Sequence, residues 1–405
     1  MLSVGAQATA ATKTRYVVAV TADAAADAAV YAALGWLAAS RWGPGGAGVV
    51  LAANTVPLVL VMLLGGAFAD RFGLARQAVV TLGIRTGLMA LLAWLVAAPS
   101  SVGWWLLVTM AAVLGLVDSF HIPALSGIAG LLADEGGQVR LQGAITAATR
   151  AALVAGTMLA GVLVGADVRW AFWAATLLSL LALAVLVLTA SKVPHETDET
   201  PGVLKEVGAA LRAVRNNPMV WRALLLLSVV NCLGTAPIGV GVPSKAAELN
   251  WQGAQYGTAY LGFGVGAAVG GAVLSRLPKF SPGAGYRYAC LLILPSAVVY
   301  AGLALAESPW VAAVCCALAG ACMAPIGALL IGGIREQSPA EQMGRISSLI
   351  QLGIFSAIPL GHVLYGLVGE AISVTVVGVI AAALLLVAGV VALSAAVLEP
   401  SRPQS

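Results

Sequence analysis

Charge is what this sequence has least of. Only 9% of its 405 residues are Asp, Glu, Lys or Arg, while 60% are hydrophobic and the mean hydropathy is +0.96. A water-soluble globule needs about a quarter of its residues charged to cover its surface, so that class is excluded. The apparatus of several enzyme classes is missing too: there is no Walker loop, nucleophile elbow, zinc-binding helix or paired CxxC. No cofactor or metal is therefore expected, and ATP-driven transport would need a separate subunit. Five cysteines (Cys232, Cys290, Cys315, Cys316 and Cys322) fall in apolar stretches without ligand spacing, which predicts packing roles and no disulfide.

What is present in abundance is apolar sequence in long runs. A bilayer core takes about 20 apolar residues per crossing helix, and twelve such spans are legible: 16–40, 46–68, 78–97, 104–132, 141–165, 170–190, 219–243, 254–275, 288–306, 310–333, 345–368 and 372–396. The expected fold class is an all-α membrane protein with twelve transmembrane helices. The first run lacks the flanks and cleavage site of a removed signal and reads as a mature span.

Basic residues set the orientation. Sixteen of the twenty-one Lys and Arg residues lie in or beside the tails and the loops after the even-numbered spans; Arg41, Arg169 and Lys245 lie in the opposite loops, and Arg85 and Arg150 inside spans. The positive-inside rule then places both termini in the cytoplasm of a cell-membrane protein. The net charge of +4 reflects this bias and gives no reason to invoke nucleic acid.

The longest polar interruption, 191–218, divides the spans six and six. The expected organisation is an N-terminal tail (1–15), a first six-helix half (16–190), a central cytoplasmic loop (191–218), a second half (219–396) and a C-terminal tail (397–405). Shifting the chain by 205 residues against itself superposes Gly66 on Gly271, Arg71 on Arg276, Arg140 on Arg345, Gly156 on Gly361 and Gly161 on Gly366. Two like-oriented six-span pseudo-repeats are what a transporter with an axis along the membrane normal requires, with its substrate site near the midplane. One chain holding both halves is expected to work as a monomer.

Between spans 2 and 3 the sequence GGAFADRFGLARQ puts charge between two apolar runs. Its Gly66, Ala69, Asp70, Arg71, Gly73 and Arg76 resemble the loop 2-3 signature of the major facilitator superfamily. The resemblance covers nearly the whole chain, with a degenerate second copy in which Ser275 replaces the acid. It implies that these residues form a gating loop, whose charged contacts close the cytoplasmic side in one state and break in the other. A finer likeness, to macrolide-efflux and siderophore-exporter types, is carried by the Asp27 region and by SFHIPAL at the end of span 4. The Gly-Pro pair expected of exporters in span 5 is replaced by AGTMLAG, with Thr157 where proline would stand.

Ionisable groups inside spans are costly unless they face water or a partner, and each is a functional candidate. Here they are Asp23 and Asp27 in span 1, Arg85 in span 3, Asp118 and His121 in span 4, Arg150 in span 5 and His362 in span 11. Asp23 and Asp27, four apart, share a helix face, as do Asp118 and His121, three apart. Asp27 and Asp118 lie near the midplane and are the candidates for proton coupling or cation recognition, with His121 and Arg150 next. Asp23, nearer the cytoplasmic end, is expected to hold helices together by pairing with Arg85 or Arg150, and His362 to be a packing residue. All three intramembrane acids are in the first half. The second offers Asn231, Tyr260 and Gln351 which, with Trp36, are candidates to line a pocket for a lipophilic substrate.

Two motifs promise more than they hold. GFGVGAAVGG in span 8 lacks the strand and spacing of a dinucleotide site; its Gly262, Gly266 and Gly270 make a smooth helix face instead. Most of the ten tryptophans fall at span ends, as an interfacial belt requires.

The expected function is therefore secondary active export of a small amphipathic or drug-like compound in exchange for protons, by alternating access. Uptake by symport on the same fold, and a membrane-embedded enzyme using Asp118 and His121, are the alternatives.

Overall fold

The computed structural model describes residues 9–97, 103–132, 138–190, 217–278, 280–337 and 343–398, and every regular element among them is helical. The side chains of residues 63–72, 138–140, 142, 282, 343–349 and 351–352 lie outside that description. The helices are α1 (Ala10–Phe72), α2 (Leu74–Val96), α3 (Trp104–Leu131), α4 (Gln138–Ala166), α5 (Val168–Ala190), α6 (Pro218–Ala236), α7 (Val242–Glu248), α8 (Gly253–Arg276), α9 (Pro282–Leu305), α10 (Pro309–Glu336), α11 (Met343–Ala371) and α12 (Val374–Leu398).

Among the described residues eleven helices are long and apolar enough to cross a membrane, and the first is long enough for two crossings. Its apolar part covers 53 residues, Ala10–Met62, roughly 80 Å of helix against a core of about 30 Å. It breaks where Trp42 leaves helical geometry and Gly43 takes φ 67° and ψ −166°. A side chain rarely adopts that conformation, and nothing lies within 4 Å of a Cβ there, so backbone freedom rather than crowding calls for glycine.

Observed and expected spans agree within a few residues, with three differences. Between spans 2 and 3 the expected turn shrinks to one residue: α1 stays helical to Phe72, Gly73 takes φ 85°, and α2 begins at Leu74. The ninth span starts at Pro282 rather than 288, because proline suits a first helical turn whose N–H groups lack partners. The seventh runs on to Glu248, carrying Lys245 out of its expected loop; the lysine is buried and donates to the Ala304 carbonyl. Inside that helix Pro237–Gly241 forms a π-turn, closed by the Val242 N–H on the Pro237 carbonyl. Pro237 supplies no N–H and crowds the preceding turn, so the ladder widens by one residue.

The described contacts fall into two compact units. One comprises Met1–Leu34 with Ala53–Val203, the other Gly35–Ala52 with Leu204–Ser405. In the first, Tyr16, Leu82, Ile128 and Leu186 pack with small residues such as Ala78, Ala124 and Ala182. In the second, Tyr256, Ile293, Tyr300 and Leu385 do the same, and the Tyr300 hydroxyl donates to the Gly234 carbonyl at 2.8 Å. Outer positions such as Val387 and Val391 of α12 stay apolar and exposed, as lipid-facing surfaces require.

Glycine contacts repeat between the units at the 205-residue offset. A Cβ at Gly115 of α3 would overlap the Asn54 carbonyl, and one at Gly320 of α10 the Phe263 carbonyl. Gly156 of α4 is closed by the Ala25 carbonyl, and Gly361 of α11 by the Cys232 carbonyl. Spans 4 and 5 thus pack on spans 2 and 1 as spans 10 and 11 pack on spans 8 and 7. Gly262, Gly266 and Gly270 lie on the Ala313, Ala317 and Ala321 backbone of α10, the small-residue packing expected of GFGVGAAVGG.

Candidate functional site

Three helices of the first unit converge on one guanidinium. α1 carries Asp23 and Asp27 one turn apart, α2 carries Gln77, Thr81 and Arg85 at four-residue steps, and α3 carries Asp118 and His121. The close approaches at Gly115 and Gly156 hold span 4 against span 2 and span 5 against span 1.

Arg85 is buried and reaches all three acids. Its Nη1 donates to Asp23 Oδ1 at 2.6 Å, Nη2 pairs with Asp27 Oδ1, and Nε stands 2.7 Å from Asp118 Oδ1. The last contact is an ion pair without a directed hydrogen bond, since neither atom finds a partner along its bonding direction. Asp23 also receives His121: Nε2 lies 3.1 Å from Oδ2. On the other side of the ring, His121 Nδ1 meets Thr81 Oγ at 2.9 Å, and Gln77 Nε2 donates to the Phe120 carbonyl at 2.8 Å.

Burial is graded across the cluster. The side chains of Arg85 and His121 are 1% exposed, Asp23 8%, Asp118 18% and Asp27 43%. With all acids ionised and His121 neutral, three negative charges face one positive charge. Such an excess, held mostly away from water, favours the binding of protons or of a cation.

Other candidates fall elsewhere. Arg150 is exposed on α4 and stands in no ion pair among the described residues. Within the second unit, Trp36 packs on Tyr256 with ring centroids 4.9 Å apart, and Tyr256 meets Tyr260 edge-on at 5.6 Å. Asn231 turns its Nδ2 back to the Leu227 carbonyl at 2.8 Å, and His362 is fully buried. Of the gating-loop residues, Gly73 makes the break between α1 and α2 and Arg76 is exposed. Gly66, Asp70 and Arg71 are helical in backbone, and their side chains, like that of Gln351, lie outside the described residues. Thr81 and Gln77 are the site residues that sequence reasoning passed over; their four-residue steps to Arg85 mark a polar stripe in an apolar helix.

Comparison with known proteins agrees with this architecture. The Major Facilitator Superfamily profile matches residues 16–362. The multidrug efflux pump Tap of Mycobacterium tuberculosis is 27% identical over 369 residues, 85% of this chain and 83% of that protein. Macrolide efflux protein A of Streptococcus pyogenes is 20% identical over 277 residues, 67% of each chain. Among solved structures, a variant of the nucleoside transporter NupG superposes with a TM-score of 0.74 at 12% identity, covering 95% of this chain and 99% of that one. The chain belongs to the major facilitator superfamily. It is an integral transporter of the cell membrane, and the enzymatic alternative for Asp118 and His121 falls away.

Proposed function

We propose that the protein exports a small amphipathic or drug-like compound in exchange for protons, with Asp23, Asp27, Asp118, His121 and Arg85 as the coupling site. The observation that carries this is the charge imbalance at Arg85: three carboxylates on one guanidinium, graded from the half-exposed Asp27 to the buried Asp23. Protons entering from outside would discharge the surplus acids and loosen their hold on Arg85. The two six-helix halves would then rock, with both termini in the cytoplasm, and the protons would leave inward. The outward direction and the drug-like substrate class rest on likeness to the two efflux proteins. In this cycle the segment around Asp70, Arg71, Gly73 and Arg76 is the cytoplasmic latch, and one chain suffices.

The test is accumulation of ethidium and of erythromycin in cells making the protein, with and without a protonophore. Lower accumulation that the protonophore restores supports export by antiport. Raised accumulation that the protonophore abolishes would instead identify an uptake symporter.

A further inference from the structure

The ring of His121 sits between one acceptor and one ambivalent group. On the Nε2 side stands Asp23 Oδ2, itself beside Arg85. On the Nδ1 side stands the Thr81 hydroxyl, whose oxygen also lies 2.8 Å from the Gln77 carbonyl and 3.1 Å from that of Ala78. A hydroxyl has one proton and two lone pairs. It can give that proton to Nδ1, or give it to the Gln77 carbonyl and accept from Nδ1–H. In both cases Nε2–H donates to Asp23 and every heavy atom stays in place. The two arrangements differ by one proton. In the first the imidazole is neutral; in the second the added proton sits on Nδ1 and the ring is a cation.

We propose that His121 and Thr81 form a one-proton store within the coupling cluster, the Thr81 hydroxyl turning between Nδ1 and the Gln77 carbonyl as the ring gains and loses its proton. The inference rests on the proton-coupled reading of the cluster and assigns the inner proton to His121 rather than to Asp27 or Asp118. The charges of the cluster fit a cation there: Asp23, which touches the ring, and Asp27 from α1, Arg85 from α2, and Asp118 on the ring's own helix together carry a surplus of two negative charges. Burial of the ring prevents water from taking over the task of Thr81. Aliphatic substitution there should therefore leave an imidazolium N–H without a partner, a loss that falls mainly on the charged form.

The test is nitrogen NMR of the full chain in lipid nanodiscs, with labelled histidine. Only His121, His195 and His362 contribute, and the signal missing in His121→Gln is assigned to the site. In spectra recorded from about pH 5 to 8, both the Nε2–H and the doubly protonated forms of the wild-type ring are expected. Thr81→Val should lower the ratio of doubly to singly protonated ring about tenfold at a given pH, and Thr81→Ser should restore it. A ring fixed in one protonation state across that range, or a Thr81→Val ring that titrates like the wild type, overturns the proposal. Protonophore-sensitive ethidium export separates the two readings. Export with a silent ring would leave the coupling proposal standing and move the proton to Asp27 or Asp118, whereas a titrating ring in a protein without export would do the reverse.

Discussion

Arg85 is the residue on which the site turns. It meets Asp23, Asp27 and Asp118 through three different nitrogens, a task that the single ammonium of lysine cannot reproduce. Arg85→Ala would strand three carboxylates in the first unit and should destabilise the protein by about 3–5 kcal/mol, read as a fall in unfolding temperature in detergent. Arg85→Lys should fall between the two. Asp27→Asn and Asp118→Asn each remove one surplus charge and keep the shape. Both should reach the membrane at wild-type levels and lose proton-driven export by tenfold or more, measured as ethidium efflux. These groups were recognisable in the sequence because each ionisable residue in an apolar span must have a reason. Their pairing was legible only in part: Asp23 was expected to pair with Arg85 or Arg150, two equal candidates until the helix faces are known, and it pairs with Arg85, while its second contact, with His121, gave no signal in the sequence.

At the scale of the helix, span length and apolar run gave nearly all the boundaries, because the bilayer fixes how much apolar sequence a crossing needs. Backbone irregularities escaped that logic. The kink at Gly43, the one-residue break at Gly73 and the π-turn at Pro237–Gly241 depend on φ, ψ and hydrogen-bond register, on which hydropathy is silent. Glycines at helix crossings were partly legible: the four-residue step of Gly262, Gly266 and Gly270 foretold a close contact but not its partner. Gly266→Val should put a side chain into the Ala317 backbone and destabilise the second unit by about 1–3 kcal/mol, seen as a lower unfolding temperature. Gly43→Ala meets no neighbour, yet should cost about 1–3 kcal/mol through strain at φ 67°.

At the scale of the molecule, the repeat visible at the 205-residue offset reappears in matched glycine contacts, Gly115 with Gly320 and Gly156 with Gly361. The acids inside the spans do not repeat: Asp23, Asp27 and Asp118 all lie in the first half, and the proposed exchange places proton binding there. On the proposed proton exchange, export should slow as external pH rises from about 6 to 8, because fewer protons are available to displace substrate. The variants with Asp27 and Asp118 neutralised should lose that dependence.

The most direct test uses purified protein in liposomes, with an imposed pH gradient as the sole energy source and ethidium as the transported probe. The account predicts ethidium movement against the proton flux, collapse of that movement when a protonophore removes the gradient, and no gradient-driven movement with Asp27→Asn or Asp118→Asn. Ethidium moving with the protons, or gradient-driven transport undiminished in both variants, would contradict it.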